Sequence, residues 1–229
     1  MEMLAKQIVT LGLCEDSDVL CIDLEGQRNI DEAKNYVQGQ IMILAKDGDD
    51  VIVIGHSAGG QLATHFLGAT GVKLVVTICA PSHNPTHYPW WMWFKTGKYF
   101  LKLLSPKAFA LDSKSSELLF GRQVPEHMRG KSAGTLVAQL NMGWLKGNPA
   151  PKRRTFAEKL QENGRKAKLL CISAKGDVLI TERAVQSTAE LLGGDHRIVK
   201  HPDHYPHLSD YNLQAICREF GHQINIFKG

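Results

Sequence analysis

The stretch Val51-Ile52-Val53-Ile54-Gly55-His56-Ser57-Ala58-Gly59-Gly60-Gln61-Leu62-Ala63-Thr64-His65-Phe66-Leu67 decides the fold. Its first four residues are all β-branched and run into a glycine, the pattern of a short buried strand. From Gln61 onward the composition suits a helix. Between the two, Gly55-His56-Ser57-Ala58-Gly59 leaves space only for a tight turn centred on Ser57. The glycines at 55 and 59 are expected to admit a strained backbone at Ser57 and close packing of helix on strand. Such a turn lifts Ser57 Oγ clear of the sheet and aims the Ala58 N–H at the space beside it.

Outward from this point the chain alternates strand and helix signals. Residues 3–12 suit a helix, Val19 to Leu24 a buried strand, and Glu25-Gly26-Gln27 a turn. Residues 31–46 suit a long helix with Asp31 and Glu32 in its first turn. Val72 to Ala80 is a strand stopped by Pro81. Residues 155–165 suit a helix, and Ala167 to Ser173 a strand that ends in Lys175-Gly176-Asp177. A helix over 181–192, a short strand Arg197-Ile198-Val199 and a helix from about Tyr211 to Phe227 complete the chain. This rhythm predicts an α/β fold: a mostly parallel sheet flanked by helices.

One stretch breaks the rhythm. Residues 82–150 hold Trp90-Trp91-Met92-Trp93-Phe94 and later Met142 and Trp144. A connection this long carries structure of its own. It is expected to form a helical cap over the strand ends, inserted into one domain that spans 1–229.

The bulk properties narrow the function. The 229 residues are 43% hydrophobic and 22% charged, as in an ordinary soluble domain with a sizeable core. The 27 basic and 23 acidic side chains give a net charge of +4, too mild and too scattered to imply nucleic acid. No apolar run approaches a membrane span and no signal segment is evident, so a cytoplasmic location is expected. The five cysteines have no regular spacing. Cys21, Cys79 and Cys171 fall in apolar runs, which predicts buried free thiols and no disulfide framework.

In a parallel sheet, side chains that do chemistry gather beyond the carboxyl ends of the strands. A serine hydroxyl is a weak nucleophile until a base takes its proton, and the base needs an acid to orient it. Asp177 follows the strand 167–173 and suits that acid; its plainer role is to cap the next helix. Ten histidines compete for the base. His201, His204 and His207 follow the last strand in a loop stiffened by Pro202 and Pro206. His204 is preferred, ahead of His207 and then His201; the plainer reading of His204 is a surface loop histidine. The pocket is assigned to His56, Trp90, Trp91, Trp93, Phe94 and His207, the aromatics also packing the cap itself.

Cofactor chemistry finds no support. The histidines at 201, 204 and 207 recur every third residue, but two prolines forbid a helix that would align them as metal ligands. His83 and His87 lack the glutamate of a zinc protease, and the glycines around Ser57 lack the lysine of a phosphate loop. No metal and no cofactor is expected.

Four motifs in order give the chain a resemblance. Asp23-Leu24-Glu25-Gly26-Gln27, Gly55 to Gly60, Lys175-Gly176-Asp177 and Asp203-His204-Tyr205-Pro206-His207-Leu208 resemble the turn, elbow, acid and histidine motifs of the α/β-hydrolase superfamily. The last resembles the form seen in its small carboxylesterases and carbon–carbon bond hydrolases. The resemblance implies Ser57 as nucleophile, Asp177 as acid, His204 as base and the Ala58 N–H as an oxyanion donor. Members of that family usually open with three strands, and a His-Gly motif after the third supplies a second donor. Here no His-Gly precedes Asp23. The expectation is either a shortened form of a longer protein or a donor supplied from elsewhere.

The function expected is hydrolysis of an ester or thioester of a fairly apolar small molecule. Two alternatives stay open: a binder or regulator with little turnover, and carbon–carbon bond hydrolysis or lyase chemistry on the same residues.

Overall fold

The computed structural model describes residues 2–10, 19–24, 27, 29–46, 48–81, 117, 167–209 and 211–219. Apart from position 117, the expected cap at 82–150, with Trp90, Trp91, Trp93 and Phe94, lies outside the described residues, as does the helix expected at 155–165.

Helix α1 spans Glu2–Thr10 and α2 spans Ile30–Leu44. Asn29 caps α2: its side chain accepts the Glu32 N–H at 2.8 Å and donates to the Glu32 carboxylate at 2.8 Å. That reciprocal pair, with Asp31 and Glu32 at the positive end of the helix, explains the start. Strand β1 is Val51–His56, followed by the short helix α3, Ala58–Ala63, and a 3₁₀ turn Thr64–Phe66. Strands β2 (Val72–Ile78) and β3 (Lys168–Ala174) precede α4, Glu182–Leu192. Thr181 caps the start of α4, and Gly193, at φ 65°, ends it in the left-handed conformation open to glycine. Strand β4 is Asp195–Val199, and residues 211–219 form helix α5.

The four strands lie side by side in the order β1-β2-β3-β4, every pair parallel. Helices cover both faces, which is why Leu74 to Val76 of β2 and Leu169 to Ile172 of β3 read as apolar runs. On one face Val75, Leu169 and Cys171 pack against Val37 and Ile41 of α2, Leu62 of α3 and Val185 of α4. On the other, Leu74, Ile78, Leu170 and Ile172 pack against Leu4 of α1 and Ile216 of α5. No described helix is long and apolar enough to cross a membrane.

One expected strand is absent. Residues 19–24 adopt no regular structure, and Leu20 is 47% exposed. Ile22 and Leu24 still pack against the core, and Gln27 N–H donates to Leu24 O at 3.2 Å in the expected turn. Hydrophobicity holds the segment near the core, but a strand also needs a ladder partner. Among the described residues none flanks the outer edge of β1. Cys21, expected to be buried in that strand, is accordingly exposed.

Candidate active site

Ser57 stands between the carboxyl end of β1 and the start of α3. Its φ of 53° and ψ of −127° are strained for a residue with a β-carbon, at a cost of about 1–3 kcal/mol. The strain is held by Ser57 N–H donating to Ile78 O at 2.9 Å, while Gly60 N–H returns to Ser57 O at 2.9 Å. Two glycines make the turn possible. A β-carbon on Gly55 would fall on the Gly59 carbonyl, and one on Gly60 would stand 2.8 Å from Ala80 Cβ. The close approach thus falls at positions 55 and 60, whereas Gly59, expected to supply it, faces open space. Ala58 N–H is the first donor of α3 and has no acceptor within its own helix.

Asp177 lies in the turn after β3. One carboxylate oxygen, Oδ1, accepts the N–H groups of Leu179 and Ile180 at 2.8 and 2.9 Å. These bonds fix the side chain before any other partner arrives. The turn is laced to the segment after β4: Lys175 N–H donates to Val199 O at 3.0 Å and Gly176 N–H to His201 O at 2.8 Å.

That segment delivers His204. Its Nδ1–H donates to the second oxygen of Asp177, Oδ2, at 2.7 Å, with both side chains wholly buried. The acceptor is a carboxylate, so Nδ1 carries a proton, and of the two neutral tautomers the bond selects the one with its lone pair on Nε2. A neighbouring pair stiffens the same loop. Asn212 on α5 donates to His201 Nδ1 at 2.8 Å, leaving His201 Nε2–H to donate to Asp203 Oδ1 at 3.1 Å. Asp203 Oδ1 also accepts Tyr205 N–H at 2.7 Å.

His56 and His207 join the cluster. The His56 ring lies 4.8 Å from that of His204, 5.0 Å from Tyr205 and 4.5 Å from His207. Its Nε2–H donates to the main-chain carbonyl of His204 at 2.8 Å. Burial pushes its pKa well below the usual imidazole value, and His204 and His207 nearby press it further the same way.

Cys79 was not singled out by the sequence beyond its burial. It sits just past β2 at φ 47°, and its sulfur lies within 4.8 Å of ligand atoms of Asp177 and His204. Burial, and then the Asp177 charge, push its thiol well above its ordinary value. Among the described residues these three bring ligand atoms within 4.8 Å of one another, close enough to hold a metal ion. The Nδ1–Oδ2 contact is already a hydrogen bond, and burial favours the protonated form of the thiol. The signal for Cys79 in the sequence was its place at a strand's carboxyl end. Asn212 carried none, because it arrives from a different element.

Many solved structures share this architecture, among them the following three. A soluble variant of monoglyceride lipase from Saccharomyces cerevisiae is 13% identical, with 86% of this chain and 68% of that chain covered and a TM-score of 0.56. A lipase-esterase related protein from Clostridium acetobutylicum is 14% identical, with 85% and 75% covered and a TM-score of 0.54. A carboxylesterase structure from the thaumarchaeon Nitrososphaera gargenis is 13% identical, with 99% and 85% covered and a TM-score of 0.51. A search of curated protein sequences gives no match. The family model for the alpha/beta hydrolase family matches residues 8–216. With that match spanning most of its length and a parallel sheet to carry it, the chain belongs to the alpha/beta hydrolase family.

Proposed function

We propose that this chain is a serine hydrolase that cleaves an ester or thioester of a fairly apolar small molecule. Ser57 Oγ attacks the carbonyl carbon while His204 Nε2 takes the hydroxyl proton. The tetrahedral oxyanion forms beside the Ala58 N–H. It collapses as His204 returns the proton to the leaving alcohol or thiol, leaving the acyl group on Ser57. A water then gives its proton to Nε2 and attacks the acyl carbon, and the proton passes to Ser57 as the acid departs. Asp177 keeps the ring in the tautomer that places the basic lone pair on Nε2 and steadies its cation.

One observation carries the reading. The buried 2.7 Å bond from His204 to Asp177 fixes a basic nitrogen on a ring packed against His56, the residue before the strained serine. The lipase and carboxylesterase neighbours favour an acyl ester, and the aromatic run from Trp90 to Phe94 favours an apolar acyl group.

A fluorophosphonate probe, with Ser57→Ala as control, tests the reading. Labelling of the wild type alone, followed by turnover across an ester chain-length panel, is the expected result. A folded wild type that takes no label and cleaves no ester sinks it. One observation favours a second reading, a hydrolase-fold binder with little turnover. Among the described residues the sheet ends at β1, the strand that leads into the serine turn. A folded, unlabelled protein that still binds long-chain acyl ligands is the outcome that reading requires.

A further inference from the structure

We infer that His56 is a positioning residue that locks the histidine loop onto the serine turn through its Nε2–H bond to the main-chain carbonyl of His204. The inference rests on the hydrolase reading above and adds to it a residue that the proton transfers themselves do not use.

The argument begins with what holds His204. Its ring is fixed at one end, where Nδ1–H meets Asp177. A single bond of that kind still leaves the ring free to rock about the Nδ1–Oδ2 axis if its backbone moves. The His56 bond fixes the backbone of the same residue, 2.8 Å from the His56 ring. The two bonds reach His204 from β1 and from the turn after β3, two different strands of one sheet.

His56 is also the residue joined directly to Ser57. Nucleophile and base therefore share one anchor: a small movement of the tip of β1 carries both together. This matters because a displacement of about 1 Å between reacting groups costs on the order of 10²-fold in rate. The side chain must meet three demands at once. It needs a donor at the distance of an imidazole Nε2, a flat body to lie among the rings of His204, Tyr205 and His207, and no charge beside a base that becomes cationic during each transfer. Histidine held neutral by burial meets all three.

The test compares His56→Gln, His56→Asn and His56→Phe. Glutamine places an amide N–H at the same number of bonds from the backbone as Nε2; asparagine has the same chemistry but falls short; phenylalanine keeps the flat ring without the donor. With a soluble p-nitrophenyl ester, Gln is expected to stay within about threefold of wild-type kcat. Asn and Phe are expected to lose roughly 10- to 100-fold in kcat with KM within about twofold, in line with misplaced reacting groups. Equal rates for Gln and Asn overturn the inference, and that pair decides even if the Phe variant does not fold.

A second readout does not need turnover. The low-field proton NMR signal of the His204 Nδ1–H should persist in Gln and broaden in Asn. A wild type that takes no fluorophosphonate removes the hydrolase reading, yet an unchanged signal in both variants would still overturn the role of His56.

Discussion

Gly176 lies against the backbone of Pro202: a β-carbon built on the glycine would stand 2.5 Å from the proline Cα and 2.8 Å from its carbonyl carbon and oxygen. Backbone cannot swing aside as a side chain can. Gly176→Ala must therefore push the histidine loop away from the acid turn and strain the Gly176 N–H bond to His201. We expect a loss of about 1–3 kcal/mol in stability and at least tenfold in kcat. Urea denaturation and steady-state rates check this, and a variant unchanged in both would show that the turn and loop are not packed as described.

Asp177→Asn separates chemistry from folding. Oδ1 still accepts from Leu179 and Ile180, so the turn should keep its shape. The amide can donate to Nδ1, which moves the imidazole proton to Nε2 and removes the base. Activity should fall by roughly 10³–10⁴ with the unfolding midpoint nearly constant. A loss of less than tenfold would show that Asp177 does not set the tautomer of His204.

The cysteines should divide by exposure. Cys21 is open to reagent, whereas Cys79, Cys171 and Cys217 are buried, and burial pushes the Cys217 thiol up to about 11. Brief alkylation of the native protein near neutral pH should modify Cys21 and spare those three until denaturant is added. Peptide mass mapping reads the result; early modification of Cys79 would contradict its place beside Asp177.

Acid should weaken the fold as the pH falls below 6.5. Burial, with His204 and His207 adding to it, holds His56 well below 6.5 in the native state. Burial also lowers His196, with Arg197 acting the same way against Glu182 and Glu190. A native pKa below the unfolded one means that the unfolded chain binds more protons under pH 6.5. This stabilisation is complete above that value and is lost as pH falls below it. The slope for His56 reaches at most about 1.4 kcal/mol per pH unit. Urea midpoints measured from pH 7.5 to 5 should decline, and His56→Gln should flatten the decline.

Local pattern carried the reading wherever a segment's environment was set by its own residues. Leu169 to Ile172 are buried, and Val51 to Ile54 pack half-buried or buried against the cores on both faces of the sheet, as their sequences say. Val19 to Leu24 has a similar composition, yet its structure depends on a neighbouring strand that composition cannot reveal. The glycines around Ser57 showed that something approaches closely; they did not show that Gly60 meets Ala80 while Gly59 faces open space. Asp177 and His204 follow consecutive parallel strands, and adjacency in the sheet makes them neighbours. Cys79 and Asn212 reach the same region from β2 and α5, by contacts no local spacing encodes.

The bond from His56 to the His204 carbonyl joins residues 148 apart in sequence. Closing a loop of that length comes late when a chain folds and early when it loosens, since little local structure supports it. The core strands can stay paired while this one clasp opens. Catalytic competence and foldedness then become separate quantities: mild denaturant should silence the protein at concentrations where its sheet still gives a native circular dichroism spectrum.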